Sequence, residues 1–290
     1  IWSCEIFGQQ GIKVLFVDRS SPTPLIMFYV MKHDLSYGMM VTASHNPAIY
    51  NGIKVFTKGG RDADEHQTAD IERYLEQADK LYVPDLEENG QMPPHAYQEL
   101  VKSGQVVEMN PMNEYLDNII SLINLDAIRE RDLRIAIDPM YGVSLTALCT
   151  ILSIARCTVE TINAQHDTLF GGKMPAPTES TLRNLQNYVL DRYCDIGIAT
   201  DGDADRLGVI DDKGHYLHAN TILVMLYYYL LKYRGWRGSA VRNLSTTHVL
   251  DKVAESFGQK CYEVPVGFKY ISAKMQETDA IIGGESSGGL

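Results

Sequence analysis

The sequence predicts an α/β protein made of three consecutive α/β domains. Apolar, strand-like runs alternate with segments of helical length, which is the pattern that βα units produce. The chain has 290 residues, which is too long for one ordinary α/β core and suits two or three compact units. Loops rich in polar residues and glycine follow several predicted strands, at the edge where open α/β sheets bind ligands.

The first predicted domain covers residues 1–112. Its elements follow from apolar runs and from the breakers between them. Strands are predicted at 13–18, 37–42 and 51–56, and helices at 24–33 and 62–78. The alternation weakens over residues 83–110, where proline and glycine recur, so a loop-rich domain end is predicted there.

The second and third predicted domains cover residues 113–217 and 218–290. In the second, helices are predicted at 115–128, 144–155 and 181–193, strands at 134–138, 158–163 and 195–200, a crossing loop at 166–180, and a hairpin of 207–210 with 215–217. In the third, helices are predicted at 220–233, 247–257 and 268–277, and strands at 239–244, 260–266 and 280–283. These alternations repeat the βα pattern of the first domain.

Composition excludes several classes of protein. The net charge of −11 argues against nucleic-acid binding, which needs a basic face, but a local pocket can still attract anionic small molecules. Five cysteines without a C-x-x-C pair argue against a disulfide framework or zinc site and favour a reducing cytoplasm. The longest apolar run, 222–231, is well short of the roughly 20 residues that span a bilayer, so no membrane association is expected.

The segment 201-DGDADR-206 is the strongest chemical signal. Its three aspartates, Asp201, Asp203 and Asp205, repel one another unless a cation compensates, and carboxylate oxygens suit Mg²⁺ or Ca²⁺. An EF-hand is one alternative, but Arg206 stands where that loop needs glycine, and the segments on either side are predicted to be strands and not helices. A solvated acidic turn is the other alternative.

The segment 42-TASHNP-47 places Ser44 at the end of a predicted strand. His45 is not expected to serve as a triad base for Ser44, because adjacent side chains rarely face each other and hydrolase bases come from distant sequence. Asn46 and Pro47 favour a turn, so a turn and a nucleophile both remain open from the local pattern.

The segment 283-GGESSGG-289 contains a G-x-S-x-G pattern with Ser286 at its centre. A hydrolase of that type needs its acid and histidine after the serine, and only four residues follow here. A binding loop is the better interpretation, because Glu285 and Ser287 can bond sugar hydroxyls.

Together these segments resemble the signature set of the α-D-phosphohexomutase family, which includes phosphoglucomutase and phosphomannomutase. The resemblance covers essentially the whole chain. The motifs are T-A-S-H-N-P at 42–47, N-G-I-K at 51–54, D-P-M-Y-G at 138–142, F-G-G-x-x-P-x-P at 170–177, D-I-G-I-A-T-D-G-D-A-D-R at 195–206, V-G-F-K at 266–269 and G-E-S-S-G-G at 284–289.

The resemblance implies an enzyme that interconverts hexose 1-phosphate and hexose 6-phosphate, with glucose, mannose or both as the hexose. Ser44 would carry a phosphoryl group and pass it to the substrate, so that hexose 1,6-bisphosphate is the intermediate and activator. One Mg²⁺ ion would be held by Asp201, Asp203, Asp205 and Ser44, and would neutralise charge on the transferring group.

Further roles are implied by the same motifs. Lys54 would act as an acid or a stabilising charge near the phosphoserine, although a solvent-facing strand lysine is an alternative, and His45 would help to shape the serine loop. The residues implied to contact substrate are Arg206, Gly267, Lys269, Glu285 and Ser287. A structural ion pair is the alternative for Arg206.

The chain also departs from the family pattern. Family members have four domains, so the start of the first domain, the end of the third and the whole fourth domain are expected to be missing, and this chain alone is expected to have poor or no turnover. The loop G-E-S-S-G-G differs from the G-E-Q-S-G-H typical of phosphoglucosamine mutases, which remain an alternative. A non-catalytic sugar-phosphate-binding relative is another, and the oligomeric state is not predicted.

Overall fold

The computed structural model describes residues 1–78 and 94–290. They form two compact units, one comprising residues 1–20 and 64–114 and the other residues 21–63 and 115–290. Helices and strands alternate along both, which confirms the α/β class. Within the described residues, no helix combines the length and apolar character needed to cross a membrane.

The helices and strands follow the predicted alternation over most of the described residues, with the exceptions given below. The helices are α1 (Trp2–Gln9), α2 (Thr23–Lys32), α3 (Glu65–Ala78), α4 (Pro94–Lys102), α5 (Met112–Leu122), α6 (Leu125–Arg129), α7 (Leu145–Ile154), α8 (Arg183–Asp191), α9 (Ala219–Lys232), α10 (Val249–Ser256) and α11 (Phe268–Thr278). The strands are β1 (Val14–Val17), β2 (Tyr37–Val41), β3 (Ile53–Thr57), β4 (Arg61–Asp62), β5 (Val106–Met109), β6 (Arg134–Asp138), β7 (Thr158–Thr161), β8 (Ile196–Thr200), β9 (Leu207–Asp211), β10 (Tyr216–Leu217), β11 (Ala240–Asn243), β12 (Cys261–Val264) and β13 (Ile282–Gly284).

The prediction of a loop-rich end at 83–110 is wrong for its described part. Residues 83–93 lie outside the described residues, but 94–102 form α4 and 106–109 form β5. Pro94 is the first residue of α4, where its missing N–H costs nothing. Strand β5 pairs in parallel with the distant β1, a partnership that no local pattern reveals.

Three smaller differences concern other helices. Helix α1 was not predicted. The single helix predicted at 115–128 is two helices, α5 and α6, because the Asn124 side chain accepts a hydrogen bond from the Ala127 N–H and so begins a new helix. The helix predicted from residue 62 begins at Glu65, because residues 61–62 pair with β3 as β4.

The larger unit contains a five-stranded sheet in the order β10-β9-β8-β6-β7. Strands β7, β6 and β8 are parallel, so the carboxyl ends of all three lie at one edge. Strand β9 returns antiparallel to β8, with Thr200 opposite Leu207. Helix α8 buries Leu185 and Val189 against the sheet. The predicted hairpin is confirmed, since β9 pairs with β10.

Two three-stranded sheets complete the larger unit. In one, β2 and β3 form an antiparallel hairpin whose last pair is Val41 with Ile53, so residues 42–52 form the connection that carries the serine motif. In the other, the order is β12-β11-β13 and all strands are parallel. Residues 244–247, 265–267 and 285–289 therefore follow strand ends at one edge of this sheet.

Candidate active site

Ser44 lies near the start of the β2–β3 connection, three residues after the end of β2, in an unusual backbone conformation. Its φ is 52°, in the left-handed region that a residue with a side chain rarely adopts and that is enriched at functional sites. The turn is held by local hydrogen bonds: the Ser44 N–H donates to Thr42 Oγ1 at 2.8 Å and the Asn46 N–H donates to the Ala43 carbonyl at 3.0 Å. The turn that the sequence predicted thus presents the serine hydroxyl.

The Ser44 hydroxyl contacts a carboxylate from distant sequence. Ser44 Oγ donates to Asp201 Oδ2 at 3.0 Å. His45 Nδ1 lies 3.3 Å from Ser44 Oγ as well, so the expectation that adjacent side chains would not face each other is wrong. Burial and then the positive charge of Arg206 lower the pKa of His45, which keeps its imidazole neutral near pH 7.

The aspartate motif is the turn of the β8–β9 hairpin. Asp201 Oδ1 accepts hydrogen bonds from the N–H groups of Asp205 and Arg206, each at 3.0 Å. Ala204 has a φ of 59°, which lets the turn close. Because Asp201 holds the backbone of the later residues, the turn folds its carboxylates toward one another.

The three carboxylates fit a cation. One oxygen from each of Asp201, Asp203 and Asp205 lies within 4.8 Å of the others. Asp201 is fully buried, and burial, followed by the charges of Asp205 and Asp203, raises its pKa to about 8. Asp203 Oδ1 is buried and has no hydrogen-bond partner among the described residues, which such an atom ordinarily requires. Oxygen donors of this kind are the ones that Mg²⁺ prefers.

Lys54 bridges two of these carboxylates. Its Nζ lies 2.8 Å from Asp203 Oδ2 and 2.5 Å from Asp205 Oδ2. Burial acts to lower the pKa of Lys54, but Asp205 and Asp203 outweigh it and raise that pKa. Burial acts to raise the pKa of Asp203, yet Lys54 and Thr23 lower it overall. Lys54 is therefore a charged member of the site and not the solvent-facing lysine of the alternative interpretation.

The end of the D-P-M-Y-G motif packs against the backbone of the aspartate turn at Gly202. A Cβ atom on Gly142 would lie 2.5 Å from the Gly202 carbonyl oxygen and 2.8 Å from its Cα. The Val143 N–H donates to that same carbonyl at 3.2 Å. Gly142 is therefore needed for the close approach of two backbones, one of which carries Asp201 and Asp203.

We expect Gly142→Ala to lower the free energy of unfolding by about 1–3 kcal/mol, because the added methyl group meets backbone that can yield only by moving the aspartate turn. Urea unfolding of wild type and variant measures the effect. Gly52→Ala is a suitable control, since its Cβ would meet a single atom within 4 Å, the Thr42 carbonyl oxygen at 3.3 Å. Equal unfolding midpoints for Gly142→Ala and wild type would contradict the expectation.

The glycine motif forms a second cluster, at the edge of the β12-β11-β13 sheet. Glu285 Oε1 accepts from Asn243 Nδ2 and from the Gly267 N–H, both at 2.9 Å, and Ser287 Oγ donates to Glu285 Oε2 at 3.2 Å. Gly267, Glu285 and Ser287 are thus brought together as the sequence suggested. The Lys269 ammonium lies 5.1 Å from the centre of the Tyr270 ring, at the start of α11.

A backbone hydrogen bond joins the two clusters. The Leu207 N–H donates to the Gly288 carbonyl at 3.2 Å, and Gly288 has a φ of 100° that favours glycine. Arg206 ends the aspartate motif, and its Cβ would lie 3.7 Å from a Cβ atom built on Gly288, so it lies beside the glycine motif. The candidate site therefore extends from Ser44 to the 284–289 loop.

Sequence reasoning missed three buried residues that hold these loops. Thr23 donates its hydroxyl to Asp203 Oδ2 at 2.8 Å. Asn243 Oδ1 accepts from the Ser245 N–H, Ser245 Oγ and Thr246 Oγ1, and Thr246 Oγ1 in turn accepts from the Ser286 N–H at 3.1 Å. The only signal was position: Asn243 ends β11, Thr246 lies in the loop after it, and Thr23 opens α2.

We expect Asn243→Ala to speed hydrogen exchange at the amides of Gly267 and Ser286 by about tenfold or more, because losing a buried hydrogen-bond partner costs about 1–3 kcal/mol. Exchange followed by mass spectrometry over residues 261–290 measures the effect. Tyr227→Phe is the control: it removes another side-chain hydrogen bond of the same region, from the buried Tyr227 to the Gly238 carbonyl, and should leave those amides unchanged. Unaltered exchange in Asn243→Ala would show that Asn243 does not hold the loop.

Known protein families match the chain in three consecutive segments. The family described as "Phosphoglucomutase/phosphomannomutase, alpha/beta/alpha domain I" matches residues 2–82, domain II of the same description matches 113–214, and domain III matches 218–290. The matches follow one another in chain order and all carry the same family description.

Individual relatives and a solved structure are also named as phosphosugar mutases. A probable phosphoglucosamine mutase of Pyrococcus abyssi is 30% identical over 278 residues, covering 96% of this chain and 57% of the relative. A phosphoglucomutase/phosphomannomutase of Thermococcus kodakarensis is 27% identical, covering 93% and 56%. The crystal structure of a "putative phosphomannomutase" from Thermus thermophilus superposes with a TM-score of 0.81 and 28% identity, covering 96% of this chain and 60% of that one. This chain spans little more than half the length of the curated relatives that it matches.

Proposed function

The chain belongs to the α-D-phosphohexomutase family, and we propose that it supplies the phosphoserine, metal and sugar loops of an enzyme that interconverts hexose 1-phosphate and hexose 6-phosphate. On this proposal residues 1–112 carry the phosphoserine loop, 113–217 the metal loop and 218–290 the sugar loop. The observation that carries the proposal is the contact of Ser44 Oγ with Asp201 Oδ2 at 3.0 Å. A serine hydroxyl beside a group of three carboxylates supports Ser44 as the carrier of the phosphoryl group.

The proposed reaction is two phosphoryl transfers at Ser44. The bond from Ser44 Oγ to phosphorus breaks as a free hydroxyl of the bound hexose monophosphate bonds to the same phosphorus, which gives hexose 1,6-bisphosphate. The bisphosphate turns over in the site and returns its other phosphoryl group to Ser44. In each half-reaction the attacking hydroxyl loses its proton and the leaving oxygen gains one, so atoms and charge balance.

Different residues would bind the metal, stabilise charge and contact phosphate. When bound, Mg²⁺ supplies charge neutralisation for the transferring phosphoryl group, and Asp201, Asp203 and Asp205, with a phosphoserine oxygen, would hold it. Lys54 keeps its proton beside Asp203 and Asp205, so it would stabilise charge or donate a proton to the leaving oxygen. Arg206 would contact a phosphate group, which guanidinium binds in bidentate fashion.

The sugar would bind at the second cluster. Glu285 keeps both carboxylate oxygens at hydrogen-bonding distance of loop groups and would accept from sugar hydroxyls, with Ser287 beside it. Gly267 and Lys269 would complete that contact. The sugar is proposed to be glucose, mannose or both. Glucosamine is the alternative sugar, and it is favoured by the Pyrococcus abyssi relative, which is named a probable phosphoglucosamine mutase.

Phosphoryl uptake tests the proposal directly. The chain is incubated with glucose 1,6-bisphosphate and Mg²⁺, and intact mass is measured. We expect one phosphoryl group per chain, located at Ser44 by peptide sequencing. Glucose 1-phosphate, mannose 1-phosphate and glucosamine 1-phosphate are then added separately, and the sugar that removes the phosphoryl group fastest identifies the substrate. A chain that binds hexose phosphates but never takes up a phosphoryl group would support the non-catalytic alternative.

A further inference from the structure

Thr23 connects the start of a helix to the aspartate turn. It is the first residue of α2 and is buried, with 1% of its surface exposed. Its N–H donates to the Asp203 carbonyl at 2.9 Å and its hydroxyl donates to Asp203 Oδ2 at 2.8 Å. These two contacts join residues that are 180 positions apart, so they are products of the tertiary fold.

The hydroxyl contact fixes how the Asp203 carboxylate is turned. Oδ2 receives both Thr23 Oγ1 and Lys54 Nζ, each at 2.8 Å. Oδ1, on the other side of the carboxylate, is buried without a partner among the described residues. Two donors on one oxygen therefore leave the other oxygen free for a further electropositive group.

Thr23 is better suited to fixing this carboxylate than Lys54 is. The Lys54 ammonium is shared with Asp205 and ends a long side chain with several rotatable bonds. Threonine is branched at Cβ and has few rotamers, and its backbone is fixed by α2 and by the bond to the Asp203 carbonyl. Hydrogen bonds from such neighbours orient the carboxylates that bind metals.

We propose that Thr23 is a positioning residue of the cation site, whose hydroxyl holds Asp203 so that Oδ1 is presented to a divalent cation. The inference rests on the proposed function, because it takes the three aspartates as the ligands of Mg²⁺. Thr23 touches neither substrate nor cation and acts only through Asp203. A merely structural Thr23 would change stability without changing the affinity of the folded chain for Mg²⁺.

Calorimetric titration of the chain with Mg²⁺ separates the two roles. Thr23→Val keeps the shape and the backbone hydrogen bond and removes only the hydroxyl, so we expect its dissociation constant to rise about tenfold or more, as loss of such partners does at metal sites. Thr23→Ser restores the hydroxyl and should restore the affinity. Ser144→Ala is the control, because it removes a buried hydroxyl that bonds Thr200 and no carboxylate.

Each outcome bears on the proposal. Wild-type affinity in folded Thr23→Val, or weak binding in Thr23→Ser equal to that in Thr23→Val, would overturn it. If Thr23→Val is too unstable at room temperature, the rise of its melting temperature with Mg²⁺ concentration gives the same constant. Wild type that binds no Mg²⁺ would overturn both this inference and the metal role of the aspartates. A hydroxyl-dependent affinity in a chain that takes up no phosphoryl group would overturn the proposed function alone.

Discussion

Ser44→Ala will take up no phosphoryl group from glucose 1,6-bisphosphate under conditions in which the wild-type chain takes up one. The reason is chemical: Ser44 Oγ is the hydroxyl that contacts the buried Asp201 carboxylate, and alanine leaves no oxygen there to carry phosphorus. Intact mass measured before and after incubation with Mg²⁺ gives the result as the presence or absence of one adduct. The loss is expected to be complete, which makes it the largest effect predicted for this chain.

Two comparisons sharpen this experiment. Ser144→Ala removes a buried hydroxyl of the same unit and should take up the phosphoryl group normally. Labelling of Ser286 by a fluorophosphonate probe, with no phosphoryl uptake at Ser44, would favour the G-x-S-x-G hydrolase interpretation. Uptake by Ser44→Ala at another residue would mean that the wrong nucleophile has been assigned.

Asp203→Asn will weaken Mg²⁺ binding by more than the roughly 10- to 100-fold that loss of an outer partner costs, because it removes a ligand charge itself. Asp203 offers the one side-chain oxygen of the three aspartates that is buried without a partner among the described residues. An amide there carries no charge and can turn an N–H₂ group toward the cation. Calorimetric titration measures the affinity, and the rise of the melting temperature with Mg²⁺ should disappear in parallel.

Asp251→Asn is the matched control for this variant. It removes another carboxylate that is paired with a buried cation, Arg242 at 2.9 Å, in a part of the chain that takes no part in the aspartate turn. Its Mg²⁺ affinity should equal that of wild type. If Asp203→Asn also binds Mg²⁺ as wild type does, the three-carboxylate group is not the cation site.

The elements that carry the site could be predicted from sequence because each has a local signal. The apolar run before Asp201 predicted β8, and the run before Ser44 predicted β2, with ends within a residue of those observed. Polar loops after such runs lie at one edge of a sheet for geometric reasons. The spacing of the three aspartates predicted a compensating cation. In the structure, Lys54 contacts two of the carboxylates, and Asp203 Oδ1 has no partner among the described residues.

The remaining features depend on contacts that a local pattern does not contain. Thr23 and Asp203 are 180 residues apart, and Asn243 and Glu285 are 42 apart, so nothing in 22-PTP-24 or 243-NL-244 indicates the partner. The prolines and glycines over residues 83–110 suggested a loop, although proline is tolerated at the first position of a helix, where Pro94 begins α4. His45 was expected to face away from Ser44, but the left-handed backbone of Ser44 turns the two side chains together.

The aspartate turn closes a paired hairpin, and this makes the cation site sensitive to chain length as well as to residue type. Thr200 opposite Leu207 fixes the ends of a six-residue connection. Inserting or deleting one residue between them would leave both strands able to pair, yet it would change which of the intervening side chains point inward. A relative with a longer or shorter connection between these strands is therefore expected to lose the cation site while its domain still folds, even if it keeps all three aspartates.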